Sequence, residues 1–314
     1  MALIDRVAYR LKLRDLRLLE TVVRLRSMAK AAIQLNISQP AVSKAVAELE
    51  HVLGVRLVDR GRQGIEPTEF GRAFLDCGVA VFDDLRQGVK NIEFLADPAA
   101  GEVRIGCTPV LAASFVSAVV DRLSRRYPRI IFHLAVAHAE TLHRELIERN
   151  VDLLIAGRFG PIVDERLGFE ILFDDSYFVA TGAQSPWVRR RKIELAELMN
   201  EPWVLSPTES GIGLLAMEAF RASGLGYPRT SVVTYSTHVQ LSLLATGRFL
   251  TIFSASALRF PTGRSEIKAL PIELPITRVP NGIVTLKNRT LSPAAQLFIE
   301  KARQVAKPLA KRKS

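Results

Sequence analysis

The sequence predicts an α/β protein that is preceded by a small helical domain and one long helix. Three patterns carry this prediction. The run at 27–50 has the caps and spacing of two short helices joined by a tight turn, residues 68–96 have the apolar spacing of a single long helix, and short apolar strands alternate with helices after Gly101. The domain boundaries that follow are 1–67, 68–98 and 99–314, with a basic tail at about 301–314.

The composition is that of an ordinary globular protein with room for two or three domains. The 314 residues are 48% hydrophobic and 24% charged. A formal net charge of +11 favours polyanionic partners. Six basic and no acidic residues fall in the tail, however, so more than half of the excess charge lies in an end that is expected to fray.

The two cysteines and the N-terminus predict a cytoplasmic location. Cys77 and Cys107 are too few for a disulfide framework and suit a reducing compartment. The first residues lack the basic and apolar regions of a secretory signal, and no apolar run approaches the roughly 20 residues that span a membrane. We therefore expect no membrane partner.

The N-terminal domain is predicted to be a helix-turn-helix followed by a two-stranded wing. Ser27 is placed to cap the second helix and Ser38 the third, and Pro40 lies in the first turn of the third helix, where its missing N–H costs nothing. Residues 55–60 and 65–67 flank a Gly-Arg-Gln-Gly turn and form the wing. The positions of the third helix that are expected to face inward are Val42, Ala45, Leu49 and Val52.

The long helix is predicted to begin after the cap Thr68 and to end before Asp97. Its apolar or small residues recur at spacings of three and four, at Leu75, Gly78, Phe82, Leu85, Val89, Ile92 and Ala96. This is the a/d seam of helices that pack side by side. A helix that lies on its own globular core is the alternative, but charged flanks that include Asp83 and Lys90 leave only a narrow stripe, which favours paired helices.

The rest of the chain alternates strands with helices, which is typical of a parallel α/β domain. Strands are predicted at 102–107, 130–136, 151–156, 176–181 and 202–205, and helices at about 109–127, 139–149, 211–223, 239–246 and 293–307.

Several short motifs of the first 100 residues match one family. They are the Ala31-Ala32 pair, the Ser-Gln-Pro-Ala-Val-Ser-Lys run at 38–44, Leu49-Glu50, Gly54, the wing at 57–60 and the Thr-Glu-Phe-Gly run at 68–71. Together they closely resemble LysR-type transcriptional regulators, and marks at 101–106 and 127–128 extend the resemblance downstream. Val58 departs from the usual wing phenylalanine, and Met28-Ala29 from the common Phe-Thr. The resemblance implies a winged helix-turn-helix, a long dimerising linker helix, a two-lobed effector domain like that of periplasmic binding proteins, and a dimer of dimers.

The residues predicted to contact DNA are Ser38, Gln39, Pro40, Ser43, Lys44 and Arg60. Early positions of a recognition helix face base edges, so Gln39 can bond adenine, Pro40 can press on a thymine methyl and Ser43 can reach a base or a phosphate. Lys44 is placed to contact phosphate. The resemblance assigns Arg60 of the wing to the DNA backbone or minor groove. Double-stranded DNA with an inverted-repeat operator is the expected partner.

The residues predicted to bind an effector are Thr108, Pro109, Arg158, Phe159, Ser206, Thr208, Ser210 and Thr237. They follow strand ends or open helices, where free N–H groups and the helix dipole suit a carboxylate or a polar ligand such as a sugar. Arg158 can add charge and Phe159 an apolar wall. The alternative for Thr108, Ser210 and Thr237 is that they only cap helices.

Other signals predict no metal, cofactor or catalytic group, and the protein is not expected to be an enzyme. His133, His138 and His143 lack the spacing of a helical metal pair. The run at 211–216 imitates a dinucleotide-binding fingerprint, but the acidic residue expected about 20 positions later is missing. For Cys107, a place in the core or the pocket is favoured over redox sensing.

The leading hypothesis is a LysR-type regulator in which a small molecule in the cleft changes the angle between dimers on DNA and the contact with RNA polymerase. The alternative is an effector-independent DNA-bending or repressor protein whose C-terminal domain only oligomerises. A third class, an enzyme or solute-binding protein that carries a DNA-binding module, would need a catalytic group or an export signal that the sequence does not show.

Overall fold

The computed structural model describes residues 10–160, 164–256, 267–275 and 278–310. The chain forms two compact units, and the boundary between them in the sequence falls between Arg86 and Gln87. Within the described ranges, no helix is long and apolar enough to cross a membrane.

The first unit contains the predicted three helices and wing, followed by the first part of the long helix. Its elements are α1 (Leu13–Leu25), α2 (Met28–Leu35), α3 (Gln39–Leu53), β1 (Val58–Gly61), β2 (Gly64–Pro67) and α4 (Glu69–Ala96), which continues into the second unit. The buried face of α3 consists of Val42, Val46 and Leu49, whose side chains are nearly inaccessible to solvent. The predicted inward residue Ala45 is half-buried and packs against this core. Val52 is also half-buried, and Val46 is a core position that the prediction missed.

The wing is fixed to the helices by hydrogen bonds that its backbone amides donate. The Glu50 carboxylate accepts bonds from the amides of Leu57 (2.7 Å) and Val58 (3.3 Å). The amide of Ile65 donates to the carbonyl of Arg26 at the end of α1 (3.0 Å). Val58 itself is buried in the core of the unit, so valine fills the position where phenylalanine is usual.

The Thr-Glu-Phe-Gly run begins the long helix at a close contact with the chain before the wing. The Thr68 hydroxyl accepts a bond from the Gly71 amide (3.0 Å) and donates to the Arg56 carbonyl (2.7 Å). A Cβ on Gly71 would overlap the carbonyl oxygen of Leu57. The structure therefore explains why threonine and glycine occupy positions 68 and 71.

The predicted seam of α4 does not form one continuous stripe. Leu75 packs against the core of the first unit and Gly78 lies beside Leu16 of α1. Farther along, Leu85, Val89 and Ile92 are 48%, 54% and 69% exposed. The seam is thus divided, because α1 covers only the beginning of α4.

Two charged residues of α4 depart from the predicted solvated flank. Asp83 and Lys90 are buried, with 1% and 9% of their surface exposed. The Lys90 ammonium lies 3.2 Å from the Glu102 carboxylate and 3.9 Å from that of Asp152. The end of α4 is therefore held by ion pairs inside the second unit.

The second unit is a two-lobed α/β structure. Its elements are β3 (Ala100–Cys107), α5 (Ser117–Arg126), β4 (Arg129–Val136), α6 (Ala139–Ile147), β5 (Leu153–Gly157), β6 (Leu167–Gly182), β7 (Trp203–Leu205), α7 (Gly211–Ala222), β8 (Thr230–Val233), α8 (Thr237–Ala245), β9 (Leu250–Ser254), β10 (Ile267–Ala269), β11 (Arg278–Leu286) and α9 (Pro293–Ala310). A helical turn at Pro109–Leu111 and a π-helical turn at Ala112–Val116 lead from β3 into α5.

The strands follow the order β4-β3-β5-β11-β6-β9-β7-β8, with β10 paired to β6. Pairing is parallel among β4, β3 and β5 and among β8, β7 and β9. Strand β11 runs antiparallel to β5 and β6, and β6 runs antiparallel to β9. The expected parallel pairing therefore holds within each of the two groups of strands, and β6 and β11 depart from it.

The two antiparallel strands connect the lobes. Phe173 of β6 and Ile283 of β11 belong to the core of lobe 1, formed by β3–β5 with α5, α6 and α9. Tyr177 and Val279, a few residues away on the same strands, belong to the core of lobe 2, formed by β7–β10 with α7 and α8. The chain crosses from lobe 1 to lobe 2 and back, so these strands must run in opposite directions.

The first part of the basic tail, residues 301–310, is helical, so this part does not fray as expected. In α9, Ala302 and Val305 are buried in the lobe 1 core, and Arg303 donates two bonds to the Glu170 carboxylate (2.7 and 2.8 Å). Residues 311–314 lie outside the described ranges.

Candidate functional site

The N-terminus of α3 presents most of the predicted DNA-contacting residues to solvent. Ser38 caps the helix, and its hydroxyl accepts a hydrogen bond from the backbone amide three residues later (3.3 Å). Gln39, Pro40 and Lys44 are exposed and Ser43 is half-buried. A short face of two helical turns is therefore open to a partner.

Packing of α2 orients that face. Ser27 caps α2, and Asn36 takes the left-handed conformation (φ 54°) that turns the chain into α3. Ala31 and Ala32 are almost fully buried between the helices. Because alanine is small, the helices can approach closely, which explains the paired alanines by packing.

The wing adds exposed basic side chains. Arg60 lies on β1 opposite Ile65 and is exposed, as is Arg62 in the turn. Lys44 of α3 has an exposed ion pair with Glu48 (3.8 Å), which is weak and can be exchanged for phosphate.

A cavity of about 160 Å³ lies between the lobes of the second unit. Of the predicted effector-binding residues, it is lined by Thr108, Pro109, Phe159, Ser206, Ser210 and Thr237. Arg158 and Thr208 do not belong to this lining. The Arg158 guanidinium lies over the Phe169 ring, 5.0 Å from its centroid, because its side chain leaves the strand end on the opposite side from Phe159; Thr208 is exposed on the loop before α7.

Some hydroxyl side chains at the helix starts around the cavity cap a helix, and others do not. Ser210 caps α7, accepting from the Gly213 amide (3.0 Å) and donating to the Pro207 carbonyl (2.6 Å). Thr108 makes no capping hydrogen bond with its side chain, and the cap of α8 is Ser236, one residue before Thr237. The capping interpretation therefore holds for Ser210 and fails for the two threonines, whose hydroxyls remain able to bond a ligand.

The connecting strands supply polar residues that the sequence did not indicate. Asp175 of β6 accepts from the amide of Ser256 (2.9 Å) and from the side-chain amide of Asn281 on β11 (3.4 Å), and both Asp175 and Asn281 line the cavity. A buried carboxylate within an apolar strand is a signal of function, but only the pairing of β6 with β11 brings the two together. The cavity is therefore lined in part by the segments that join the lobes.

One edge of the cavity joins the lobes through aromatic rings. His138 of lobe 1 and Tyr235 of lobe 2 have ring centroids 4.0 Å apart. Partial desolvation and the nearby carboxylates of Glu209 and Glu140 raise the pKa of the Tyr235 hydroxyl. Two carboxylates thus lie close to this edge, one from each lobe.

The glycines of the dinucleotide-like run have packing roles. A Cβ on Gly211 would overlap the ring of Phe159, and a Cβ on Gly213 would overlap the carbonyl of Pro207. The first glycine lets α7 approach lobe 1, and the second allows the tight turn before α7.

Cys107 ends β3 inside the core of lobe 1 and is fully buried. Burial raises the pKa of its thiol to about 12, so the unreactive protonated form dominates at neutral pH. Over the residues that the structure describes, no group of three or more His, Cys, Asp or Glu side chains could hold a metal ion.

Comparisons with known proteins find a matching family for each of the two units. The family described as the LysR substrate binding domain matches residues 96–307, and the bacterial regulatory helix-turn-helix family of lysR type matches residues 13–72. The HTH-type transcriptional regulator GbpR of Azospirillum brasilense is 30% identical over 291 residues, or 91% of this chain and 84% of that protein. The transcriptional dual regulator GltC of Bacillus subtilis is 27% identical over 92% of this chain and 96% of that protein.

Solved structures show the same fold. A full-length OxyR variant from Pseudomonas aeruginosa superposes with a TM-score of 0.67 at 19% identity, covering 98% of this chain and all of that one. Full-length CbnR, solved in complex with its target DNA, gives 0.62 at 20% identity, covering 94% of this chain and all of that one.

A winged helix-turn-helix, a long helix and a two-lobed domain with a cavity define a DNA-binding transcriptional regulator with an effector-binding domain. Both families that match the chain are parts of one such group, and this chain belongs to the LysR family of transcriptional regulators.

Proposed function

We propose that this regulator binds an inverted-repeat operator as a dimer of dimers, in the cytoplasm, and that a small molecule in the cavity between its lobes controls transcription through RNA polymerase. The domain division that we propose is a DNA-binding domain at 1–67, a linker helix at 68–98 and an effector domain at 99–314. The cavity carries this proposal, because residues of both lobes and both connecting strands line it.

DNA contact is assigned to the exposed start of α3 and to the wing. Gln39 and Ser43 read bases, Pro40 contacts a thymine methyl, and Lys44 and Arg60 bind the backbone. Binding-site selection from random duplexes by the full-length protein tests this assignment. We expect an enriched palindrome with half-sites spaced by the helical repeat; recovery of no common sequence would contradict it.

Dimerisation is assigned to the second half of α4. Leu85, Val89 and Ile92 expose a row of large apolar side chains, which a second copy of α4 would cover. Val89→Glu is expected to weaken association in sedimentation, whereas Glu93→Gln on the exposed flank is expected to leave it unchanged. Equal association of both variants would contradict the assignment.

The sequence suggested a carboxylate or a sugar as effector. Hydroxyls of Thr108, Ser206 and Thr237 support a hydroxylated ligand, since such groups can both donate and accept hydrogen bonds. Thr108→Val removes one hydroxyl without a capping role and is expected to abolish the inducer response while sparing operator binding. A normal response in this variant would count against the cavity as the effector site.

The alternative, a protein whose C-terminal domain only oligomerises, requires no ligand. Hydroxyls at the cavity that have no capping role, those of Thr108 and Thr237, favour the effector-responsive form. A thermal-shift screen with aromatic acids, sugars and amino acids separates the two, because a ligand raises the melting temperature by mass action.

A further inference from the structure

The charged side chains that line the cavity are mostly acidic. Glu140, Glu209 and Asp175 contribute carboxylates, and His138 is the remaining titratable side chain apart from tyrosines. Among the described residues, no lysine or arginine lines the cavity, since Arg158 is directed to Phe169 instead. A carboxylate ligand would therefore meet like charge without a cationic side chain to hold it.

Helix dipoles do not reverse this balance. Helices α6, α7 and α8 begin at the cavity, and each N-terminus carries roughly half of a positive charge, which together do not exceed the charges of Glu140 and Glu209 alone. Glu140 lies in the first turn of α6 and Glu209 immediately precedes the cap of α7. Their charges therefore lie near the positive ends of these two helices and weaken the attraction of those ends for an anionic ligand.

Two buried polar side chains face the cavity without a hydrogen-bond partner among the described residues. Gln240 is 6% exposed and Tyr177 is 9% exposed, and neither side chain makes a hydrogen bond to the described part of the protein. Their polar atoms are accessible from the cavity, where a ligand can supply the hydrogen bonds that the described residues do not. The amide oxygen of Gln240 and the hydroxyl of Tyr177 can accept bonds from the N–H groups of a ligand.

The remaining walls are apolar and partly aromatic. Phe159, Ile252 and Phe253 are among the lining residues, and Phe159 is the most exposed of the three, at 38%. Aromatic faces together with carboxylates attract organic ammonium groups through cation–π and ionic interactions. The volume of about 160 Å³ is similar to that of an apolar cavity of about 150 Å³ that binds benzene.

We propose that the cavity takes a small organic cation, an amine of about the size of a substituted benzene ring, in preference to a carboxylate. This proposal rests on the proposed role of the cavity as the effector site, and it replaces the carboxylate that the sequence suggested.

Titration calorimetry on the full-length protein tests the proposal with three probes of equal ring size: benzylamine, benzyl alcohol and benzoate. We expect benzylamine to bind with a dissociation constant on the order of 1 mM or below and at least about tenfold more tightly than benzoate, with benzyl alcohol between them. Equal or tighter binding of benzoate or benzyl alcohol, or no benzylamine binding up to about 20 mM, would overturn it.

A double variant, Glu140→Gln with Glu209→Gln, removes two exposed carboxylates at the cavity. We expect the preference for benzylamine over benzoate to fall by about tenfold, since the amides keep the shape but lose the charge. Glu148→Gln with Glu218→Gln, at the end of α6 and on α7 but outside the lining, is the matched control and should keep the preference. An unchanged preference in the first variant contradicts the proposal.

The experiments distinguish an error in the proposed ligand preference from an error in the proposed function. If benzoate binds and alters the operator complex, the cavity is the effector site and the cationic preference is wrong. If benzylamine binds with the expected preference and also leaves operator binding and bending unchanged, the cationic site stands and its regulatory role does not.

Discussion

Asp152 is the centre of a buried ionic cluster, and its replacement by asparagine should weaken the second unit. One carboxylate oxygen accepts from Arg289 (3.2 Å) and from Gln87 of α4 (3.4 Å), and the other accepts from the Arg104 amide (2.9 Å). The side chains of Asp152 and Arg289 are 3% and 1% exposed. Asparagine keeps the shape of the residue and removes its charge.

The expected loss in the free energy of unfolding depends on which interactions the partners of Asp152 keep in the variant. Breaking a buried ion pair on one side costs about 3–5 kcal/mol, because a charge remains without its counter-ion. Lys90 keeps Glu102 at 3.2 Å, and Arg289 keeps a hydrogen bond to the Val151 carbonyl (2.5 Å). The loss should therefore fall at the lower end, about 3 kcal/mol in the free energy of unfolding.

Urea unfolding of the full-length protein, followed by circular dichroism, measures this loss. Asp121→Asn is the control, since its ion pair with Arg125 on α5 is exposed and should contribute less than about 1 kcal/mol. Adding Arg289→Met to Asp152→Asn should recover about 2 kcal/mol, because a buried guanidinium that has lost the charge of Asp152 is removed. A loss below about 1 kcal/mol for Asp152→Asn, or no recovery in the double variant, would refute the reasoning.

Three further outcomes are expected. Glu50→Gln should cost about 1.5–3 kcal/mol in unfolding experiments, because a carboxylate that accepts two wing amides becomes neutral; an unchanged midpoint would argue against this anchor. A thiol reagent at pH 8 should modify exposed Cys77 and spare Cys107, whose pKa burial raises to about 12, until denaturant is added; two reactive thiols in the native protein would contradict this. The hydrogen bonds from Arg303 lower the pKa of Glu170, so the stabilisation by this pair should be present at neutral pH and decrease as the pH falls through that lowered pKa, measured as the difference in melting temperature from Arg303→Gln; a difference that stays constant with pH would contradict it.

Local signals in the sequence were sufficient for the DNA-binding unit. Ser27, Ser38 and Thr68 cap the helices that they were expected to begin, because capping depends on residues three or four positions apart. The paired alanines and Gly71 have packing reasons within the same short stretch of chain, so the motifs that contain them indicated the fold of this unit.

Sheet pairing in the second unit was only partly predictable. The parallel strands β3, β4 and β5 follow from local alternation with helices. The antiparallel strand β11 pairs with β6 about 100 residues earlier, and nothing within either segment indicates the partner. The cavity residues Asp175 and Asn281 were missed for this reason.

By itself the sequence determined the family, the capped and exposed start of α3, and six of the eight residues that it predicted for the cavity, because these depend on motifs and on positions at strand and helix ends. Only the tertiary structure decided which hydroxyls cap helices, where the seam of α4 is covered and which charges line the cavity. Those properties arise from segments far apart in the chain, whose distances and burial are set by how the strands pair and the helices pack. The absence of Arg158 from the cavity lining and the presence of Asp175 are the reasons that we propose a small organic cation in place of the carboxylate or sugar expected from the sequence.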